Sequence, residues 1–269
     1  NDTLESIINT TYPFVTDHEK IEDCIDELVD YAEDSIPVLS ETKELLGVIT
    51  AQDVVEAVDD EMGEDYAKLA GLTDEEDLRE TTKESMKKRL PWLIILLFLG
   101  MGVSSVVGAF EAVVAVLPIV MCFQSLILDM AGNVGTQSLA VTIRVLMDEN
   151  LTGKQKLHLV WKEMKVGFVN GLLLGSLAFV FIGIYIACFK HNAWMHAFLI
   201  SGCVGVSLMV AMVISSLVGT LIPIFFHKIK IDPAVASGPL ITTVNDLVAV
   251  VTYYGLAWLF LIQIMQIVS

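Results

Sequence analysis

One carboxylate stands where water is scarce. The segment Asp232-Pro-Ala-Val-Ala-Ser-Gly238-Pro239-Leu-Ile-Thr242-Thr-Val-Asn-Asp246-Leu-Val-Ala-Val-Val runs on apolar almost to the end of the chain. Asp246 falls near the middle of a stretch long enough to cross a bilayer. An ionised side chain at that depth costs about 3 kcal/mol on insertion scales. It persists there if it faces water, a partner charge or an ion, so the chemistry is that of moving or sensing a cation inside a membrane. Gly238, Thr242 and Asp246 recur every four residues and make one small or polar helix face. Pro239 has no N–H, which inside a helix would free the Val235 carbonyl. A freed carbonyl at membrane depth is tolerated only in a wet or protein-lined cavity. A second polar island, Leu128-Asp129-Met-Ala-Gly132-Asn133-Val-Gly135-Thr136-Gln137-Ser138, lies between apolar runs. Asn133 and Gln137 share a face, and the glycines thin the helix so that water or an ion can reach its backbone. A structural hydrogen bond for Asp246, for instance to Asn133, is the alternative to a pore role.

Five apolar spans must position these residues, at roughly 91–110, 112–146, 166–189, 195–226 and 232–266. About 20 residues suffice to cross, so the longer spans must tilt, kink or project. Basic residues place the cytoplasmic side. Lys83 to Arg89 precede the first span, Arg144, Lys154, Lys156, Lys162 and Lys165 lie between the second and third, and Lys228 and Lys230 lie between the fourth and fifth. The other loops carry Glu111 and Lys190. The soluble front is therefore expected inside and the C-terminus outside. Residues 152–165 read as an amphipathic helix lying on the inner surface. Gly167-xxx-Gly171-xxx-Gly175 has the spacing that lets helices approach closely. Gly100, Gly102 and Gly108 are read as packing residues too, since no strand precedes them to make a dinucleotide loop.

Charge divides the chain. Residues 1–89 carry 26 acidic and 8 basic side chains, a net of −18, and residues 90–269 carry 7 and 8, a net of +1. An acidic soluble front joined to an apolar back is the composition of a membrane protein with one soluble domain. The front would repel nucleic-acid phosphates and suits divalent cations, whose hard charge prefers carboxylate oxygens. Cys24, Cys122, Cys188 and Cys203 are scattered with no CxxC pair, so they read as reduced packing residues. The chain has no signal peptide and opens on Asn, and sequence upstream is expected.

The front reads as one α/β module. Ile21, Ile25, Leu28, Val29 and Ala32 have helical spacing over 19–33. Strands follow at 35–39 and 45–50, then a helix from Ala51 to about Asp60. Asp53 falls in its first turn, where the helix dipole favours a negative charge. Thr73 with Glu76 predicts a capping box for a connecting helix that ends on Lys83, Lys87, Lys88 and Arg89. Acidic residues crowd the approach to the membrane. Most charge runs are solvated faces, but carboxylates this dense repel one another until a cation neutralises them.

The strand, turn, Gly47-Val-Ile-Thr50 strand and helical Asp53 resemble a cystathionine-β-synthase (CBS) module. DPAVASGPLITTVND resembles the last-helix signature of the MgtE family of magnesium channels, and AGNVGTQS its second-helix motif. EDYAKLAG, the charged connecting helix and the Lys-Arg-Leu-Pro-Trp run are similar to that family as well. Ala131 and Ala249 stand where the family often has glycine. The resemblance covers the chain from the module onward, without the family's acidic N-terminal domain and first CBS module. It implies a helical membrane protein of five transmembrane helices per protomer with a dimeric pore and a small cytoplasmic CBS module. The divisions would be a CBS module at 1–65, a connecting helix at 66–90 and a pore domain at 91–269. The implied function is a Mg²⁺ channel of the cell membrane, and not an enzyme. It would work as a homodimer, with Asp246, Asn133, Thr242, Gly238 and Asp129 around the ion. Gating would come from Mg²⁺ at Asp53, Glu56, Glu61, Glu64, Asp65 and Asp232. Mn²⁺ and Co²⁺ are chemically similar cargo. CBS modules bind adenosine ligands, so ATP at Thr50 and Asp53 is a further implied ligand.

Other classes fare less well on the residues. A membrane metalloprotease needs His-Glu-x-x-His, whereas His18-Glu19 is followed by Lys-Ile-Glu, and His158, His191, His196 and His227 are dispersed. A non-conducting ion or nucleotide sensor and an ion- or proton-coupled transporter using Asp246 stay open as alternatives to a channel.

Overall fold

The computed structural model describes residues 14–19, 35–73, 79–116, 118–148, 151–190, 192–235 and 238–264. The chain divides into two compact units between Tyr66 and Ala67.

In the first unit, β2 (Ser35–Leu39) and β3 (Leu45–Thr50) pair antiparallel, with Ile36 opposite Ile49 and an irregularity at Val38 and Leu39. The reversal at 40–44 puts Lys43 at φ 62° and closes with its N–H on the Ser40 carbonyl, 2.8 Å away. The short strand β1 (Val15–Thr16), which the sequence pattern does not announce, adds parallel to β2 and completes the order β1-β2-β3. Alternation brings Val15 and Ile36 to one face, where Val38, Ile49 and Val54 cover them. The helix predicted over 19–33 falls almost wholly outside the described residues.

Val54 belongs to α1 (Ala51–Leu69). This helix was expected to end near Asp60. Its lone internal Gly63 costs only about 1 kcal/mol, and no proline intervenes, so it runs nine residues further. It stops where a backbone signal stops it. Gly71 takes φ +80°, its N–H bonds the Lys68 carbonyl and the Leu72 N–H reaches the Ala67 carbonyl. That pair of bonds is a Schellman motif, which needs the left-handed residue at the position after the cap.

The second unit is helical. It comprises α2 (Thr82–Ala109), α3 (Glu111–Val116), a 3₁₀ turn at Pro118–Phe123, α4 (Gln124–Asp148), α5 (Gly153–Phe189), α6 (Trp194–Lys228), a 3₁₀ turn at Pro233–Val235, and α7 (Gly238–Ala257), which widens into a π segment at Trp258–Ile264. Among the described residues, five helical stretches are long and apolar enough to cross a membrane.

Several boundaries differ from the sequence reading, each for a local reason. Thr73 gives its hydroxyl to the Lys88 carbonyl, while Glu76 lies outside the described residues. The capping box that opens α2 is instead Thr81 with Glu84. From there α2 runs unbroken through Pro91 to Ala109. The second span begins at Pro118, because residues 111–116 form the separate short helix α3. No separate surface helix occupies 152–165. Thr152 and Gln155 form a capping box, and α5 continues for 37 residues, about 55 Å at 1.5 Å per residue. A switch from polar to apolar side chains does not end a helix. Pro239 does not free a carbonyl in mid-span either. It stands in the first turn of α7, where an N–H would have no helical partner in any case.

Packing centres on α4, α6 and α7. Ile127, Ala131 and Val134 of α4 meet Val204, Leu208 and Met212 of α6 and Ala249, Val250 and Tyr253 of α7. α5 joins through its glycines. Gly167 lies against Ser216, Gly171 against Met209 and Gly175 against the Gly205 carbonyl. α2 buries no residue within the chain, and Gly100, Gly102 and Gly108, read as packing residues, face open space. Cys203 is buried, while Cys122 and Cys188 are exposed, and all three are free thiols.

Candidate cation site

Two tyrosines fix α7 to the 3₁₀ turn at Pro118–Phe123 and to the first residue of α4. The Tyr253 hydroxyl donates to the Val120 carbonyl at 2.8 Å, and the Tyr254 hydroxyl to Gln124 Oε1 at 2.5 Å. Further along, the small residues of the second-helix motif let the two helices close. Thr242 packs on Gly132, and its hydroxyl lies 3.5 Å from that of Thr136. Thr136 also donates to the Gly132 carbonyl, and Thr243 to that of Pro239. Glycine is required at Gly135 by close approach. A Cβ there would run into the Asn245 carboxamide, while Gly219 of α6 presses on the Gly135 carbonyl from the other side.

The packing sorts the polar residues of α4 into two faces. Gly132, Gly135 and Ser138 turn inward, and Asp129, Asn133 and Gln137 are exposed along one stripe. On α7, Gly238, Thr242 and Asp246 are half-buried along theirs. Thr242 touches Gly132, which precedes Asn133, and Thr136, so the two motifs meet. Asp246 has no hydrogen bond or ion pair among the described residues, and the structural bond to Asn133 is absent. Asn245 is the residue that sequence reasoning missed. It is 0 % exposed, and neither amide atom has a hydrogen-bond partner among the described residues. Its signal was its register with Ile241 and Ala249, both fully buried.

Asp232 is committed locally. Its Oδ1 accepts the Ala234 N–H at 2.8 Å, capping the turn before α7, and its Oδ2 pairs with Lys68 Nζ at 2.9 Å. Leu69, next to Lys68, packs with Leu139, Ile143 and Ile241, and its carbonyl lies against Gly238. The end of α1 thus rests on the first turn of α7.

The acidic residues of the first unit are arranged differently. Thr50 and Asp53 cap α1 reciprocally. Asp53 Oδ2 accepts from the Thr50 hydroxyl and from the Thr50 N–H, both at 2.7 Å, and the Asp53 N–H points at the Thr50 hydroxyl oxygen at 3.3 Å. The hydroxyl first, and then the N–H, hold the Asp53 carboxyl below the usual carboxylate range. Glu56 lines a shallow groove with Asp59 and Met62. Glu64 and Asp65 follow two turns further along α1, and the Glu61 side chain is outside the described residues. Among the described residues no three His, Cys, Asp or Glu side chains converge on a point that could hold a metal.

Comparison with known proteins gives these features a family. Residues 124–256, which hold both intramembrane motifs, match the model of MgtE, a divalent cation transporter family, and residues 4–60 match the CBS domain. The chain is 36% identical over 262 residues to the magnesium transporter MgtE of Enterococcus faecalis, covering 97% of this chain and 56% of that one. It is 38% identical over 229 residues to the magnesium transporter MgtE of Bacillus subtilis (84% and 48%). Against the protein of that name from Thermus thermophilus it is 30% identical over 262 residues (96% and 56%). The chain spans about half the length of these curated relatives. Its paired intramembrane motifs and its CBS region together place it in the MgtE family.

Proposed function

We propose that this chain forms half of a divalent-cation channel that carries Mg²⁺ across the cell membrane into the cytosol. One observation carries the reading. Asp129, Asn133 and Gln137 are exposed along a helix of bilayer length, beside the half-buried face of Asp246. Polar side chains facing lipid are expensive. They suit a water-filled path instead. A second copy related by a two-fold axis would close that path and set two Asp246 carboxylates around one ion. α2, apolar and unburied within the chain, is left for lipid or for that copy. Mg²⁺ demands octahedral oxygen geometry and dehydrates reluctantly, so a wide site of two carboxylates with Asn133, Thr242 and Gly238 would hold it through its water shell. Mn²⁺ and Co²⁺ favour similar donors. The basic residues between spans support a cytoplasmic N-terminal region and a C-terminus outside.

Gating is the finer part of the proposal. Asp53, Glu56, Glu61, Glu64 and Asp65 crowd α1, and internal Mg²⁺ would neutralise their repulsion. ATP at Thr50 and Asp53 would have to compete with another use, since each of these side chains already serves the other as a helix cap.

The test is Mg²⁺ uptake into liposomes by the wild-type chain and by Asp246→Ala. Uptake driven by membrane potential and abolished in the variant is the expected result. Equal uptake by both proteins would remove Asp246 from the path, and uptake that follows a proton or sodium gradient would favour a coupled transporter.

A further inference from the structure

The first turns of α5 carry a shallow pocket that the proposed path does not use. It lies between the end of α4 and the start of α5. Its polar wall is Lys154, His158 and Lys162, spaced one helical turn apart and all exposed. Its apolar floor is Val145, Leu151 and Leu159, of which Leu159 is buried. Gln155 stands beside them. Its Oε1 accepts the Thr152 N–H at 2.8 Å and the Thr152 hydroxyl at 2.6 Å, which leaves the two amide hydrogens to donate.

The wall suits an anion. Among the described residues no carboxylate pairs with Lys154, His158 or Lys162. From Arg144 to Lys165 the sequence has five basic and three acidic side chains. Of the acidic three, Glu163 turns to another face of α5, buried against Ser138 and Ser216. The side chains of Asp148 and Glu149 are outside the described residues. The positive end of the α5 dipole adds to the same sign.

Depth narrows the choice of anion. α5 has 37 residues and is about 55 Å long, against about 30 Å for a hydrocarbon core. Val166 to Phe189 carries no charge and alone spans about 36 Å. With that stretch in lipid, Lys162 and Lys165 stand at headgroup level. Trp161 is 52 % exposed next to Lys162, and indole rings gather at the membrane–water boundary. The exposed face continues at helical spacing from His158, Trp161 and Lys165 to Phe168 and Leu172. Leu172 in turn lines an apolar groove between α5 and α6 with Phe179 and Val206. A free phosphate has no use for an apolar floor or for that groove. A glycerophospholipid has a phosphate for the lysines and an acyl chain for the apolar face.

We propose that this pocket binds the headgroup of an anionic glycerophospholipid. Lys154 and Lys162 pair with its phosphate, and Gln155 and a ring N–H of His158 donate to its oxygens. The lipid would fasten the end of α4 and the start of α5 to the membrane surface. Placing it in the inner leaflet rests on the orientation proposed above. The headgroup site itself does not.

The test is electron paramagnetic resonance of spin-labelled phospholipids around the whole chain in phosphatidylcholine vesicles. The wild type is expected to prefer labelled phosphatidylglycerol over labelled phosphatidylcholine. Lys154→Gln and Lys162→Gln should each lower that preference about fivefold, and Lys162→Arg, which keeps the charge, should retain it. Lys228→Gln is the control. Lys228 stands on the same side of the bundle, since its neighbour His227 lies 3.2 Å from Lys156, but it does not line the pocket. All these side chains are exposed, so their loss leaves the fold intact. No preference in the wild type would overturn the proposal. Equal losses at Lys228 and Lys162 would overturn it too, by showing only diffuse surface charge. Release of the labelled lipid by inorganic phosphate, at constant ionic strength, would make this a free-anion site and refute the lipid. A changed oligomeric state in Lys154→Gln with lipid preference unchanged would give the face to a second copy instead. The readout is lipid binding and not uptake. A chain that selects the lipid but takes up no Mg²⁺ keeps this site and loses the channel reading.

Discussion

Asn245 rests against the bare backbone of Gly135, so the side chain beside the intramembrane Asp246 fits only because the second-helix motif has no side chain there. A Cβ at Gly135 would overlap the Asn245 carboxamide, while Gly219 closes on the Gly135 carbonyl from α6. Gly135→Ala is therefore expected to destabilise the bundle by about 1–3 kcal/mol, the usual cost of overpacking. Asn245→Ala should restore room, so the double variant should recover part of the loss. Thermal unfolding in detergent checks this through a double-mutant cycle, with an interaction energy of about 0.5–3 kcal/mol expected between residues in contact. A Gly135→Ala protein as stable as wild type would mean that the two helices are further apart than they stand here.

Asp232 does two jobs that substitution can separate. The pair with Lys68 is about one third exposed on both sides, which is worth about 0.2–1 kcal/mol. Capping the Ala234 N–H is worth about 1 kcal/mol more. Asp232→Asn keeps a capping oxygen and loses the charge. It should fall between wild type and Asp232→Ala in unfolding temperature, and Lys68→Ala should resemble Asp232→Asn. If Asp232→Asn is as unstable as Asp232→Ala, the cap contributes nothing.

The Thr50–Asp53 cap gives the first unit an acid-sensitive helix start. Its bonds hold the Asp53 carboxyl below its ordinary range in the folded chain. A depressed folded value means that the stabilisation is present in full above the unfolded carboxylate range and is lost as pH falls through the folded value. The helical signal of α1 is expected to weaken on acidification more in wild type than in Thr50→Val, which lacks the hydroxyl. Identical acid profiles for the two proteins would refute the coupling.

How much of this was legible follows from where the deciding interactions lie. The two motifs around Asn133 and Asp246 were readable because polar residues in an apolar run have few explanations. The strands at 35–39 and 45–50 were readable from local alternation. Asn245 was not, because its role depends on which glycine of another helix it meets, and spacing along one helix is silent on that. Glu163 drew no reading for the same reason, since nothing in its neighbours shows that α5 buries that face against Ser138 and Ser216. Pro239 misled for a related reason. Whether a proline breaks a helix or begins one depends on where the helix starts, and Asp232, the Pro233–Val235 turn and Gly238 decided that. The short strand β1 pairs across about twenty residues, beyond the reach of any local pattern.

The closest backbone approach between α5 and α6 makes the last prediction. A Cβ on Gly175 would stand 2.7 Å from the Gly205 carbonyl oxygen, and one on Gly205 would stand 2.6 Å from that of Gly175. Backbone atoms cannot swing aside as a side chain can. Either alanine must push the helices apart, breaking contact along the line from Gly167 to Gly183 and forfeiting dispersion between surfaces that lipid would otherwise solvate equally well. Each single alanine should lower the unfolding temperature, by about 1–3 kcal/mol of stability. The double variant should cost little more than one alone, because the first already opens the crossing. Gly202→Ala, one turn from Gly205 and meeting only the Phe179 ring at 3.6 Å, is the control expected to leave stability nearly unchanged. Equal losses at Gly202 and Gly205 would show that helix propensity, and not close approach, governs these positions.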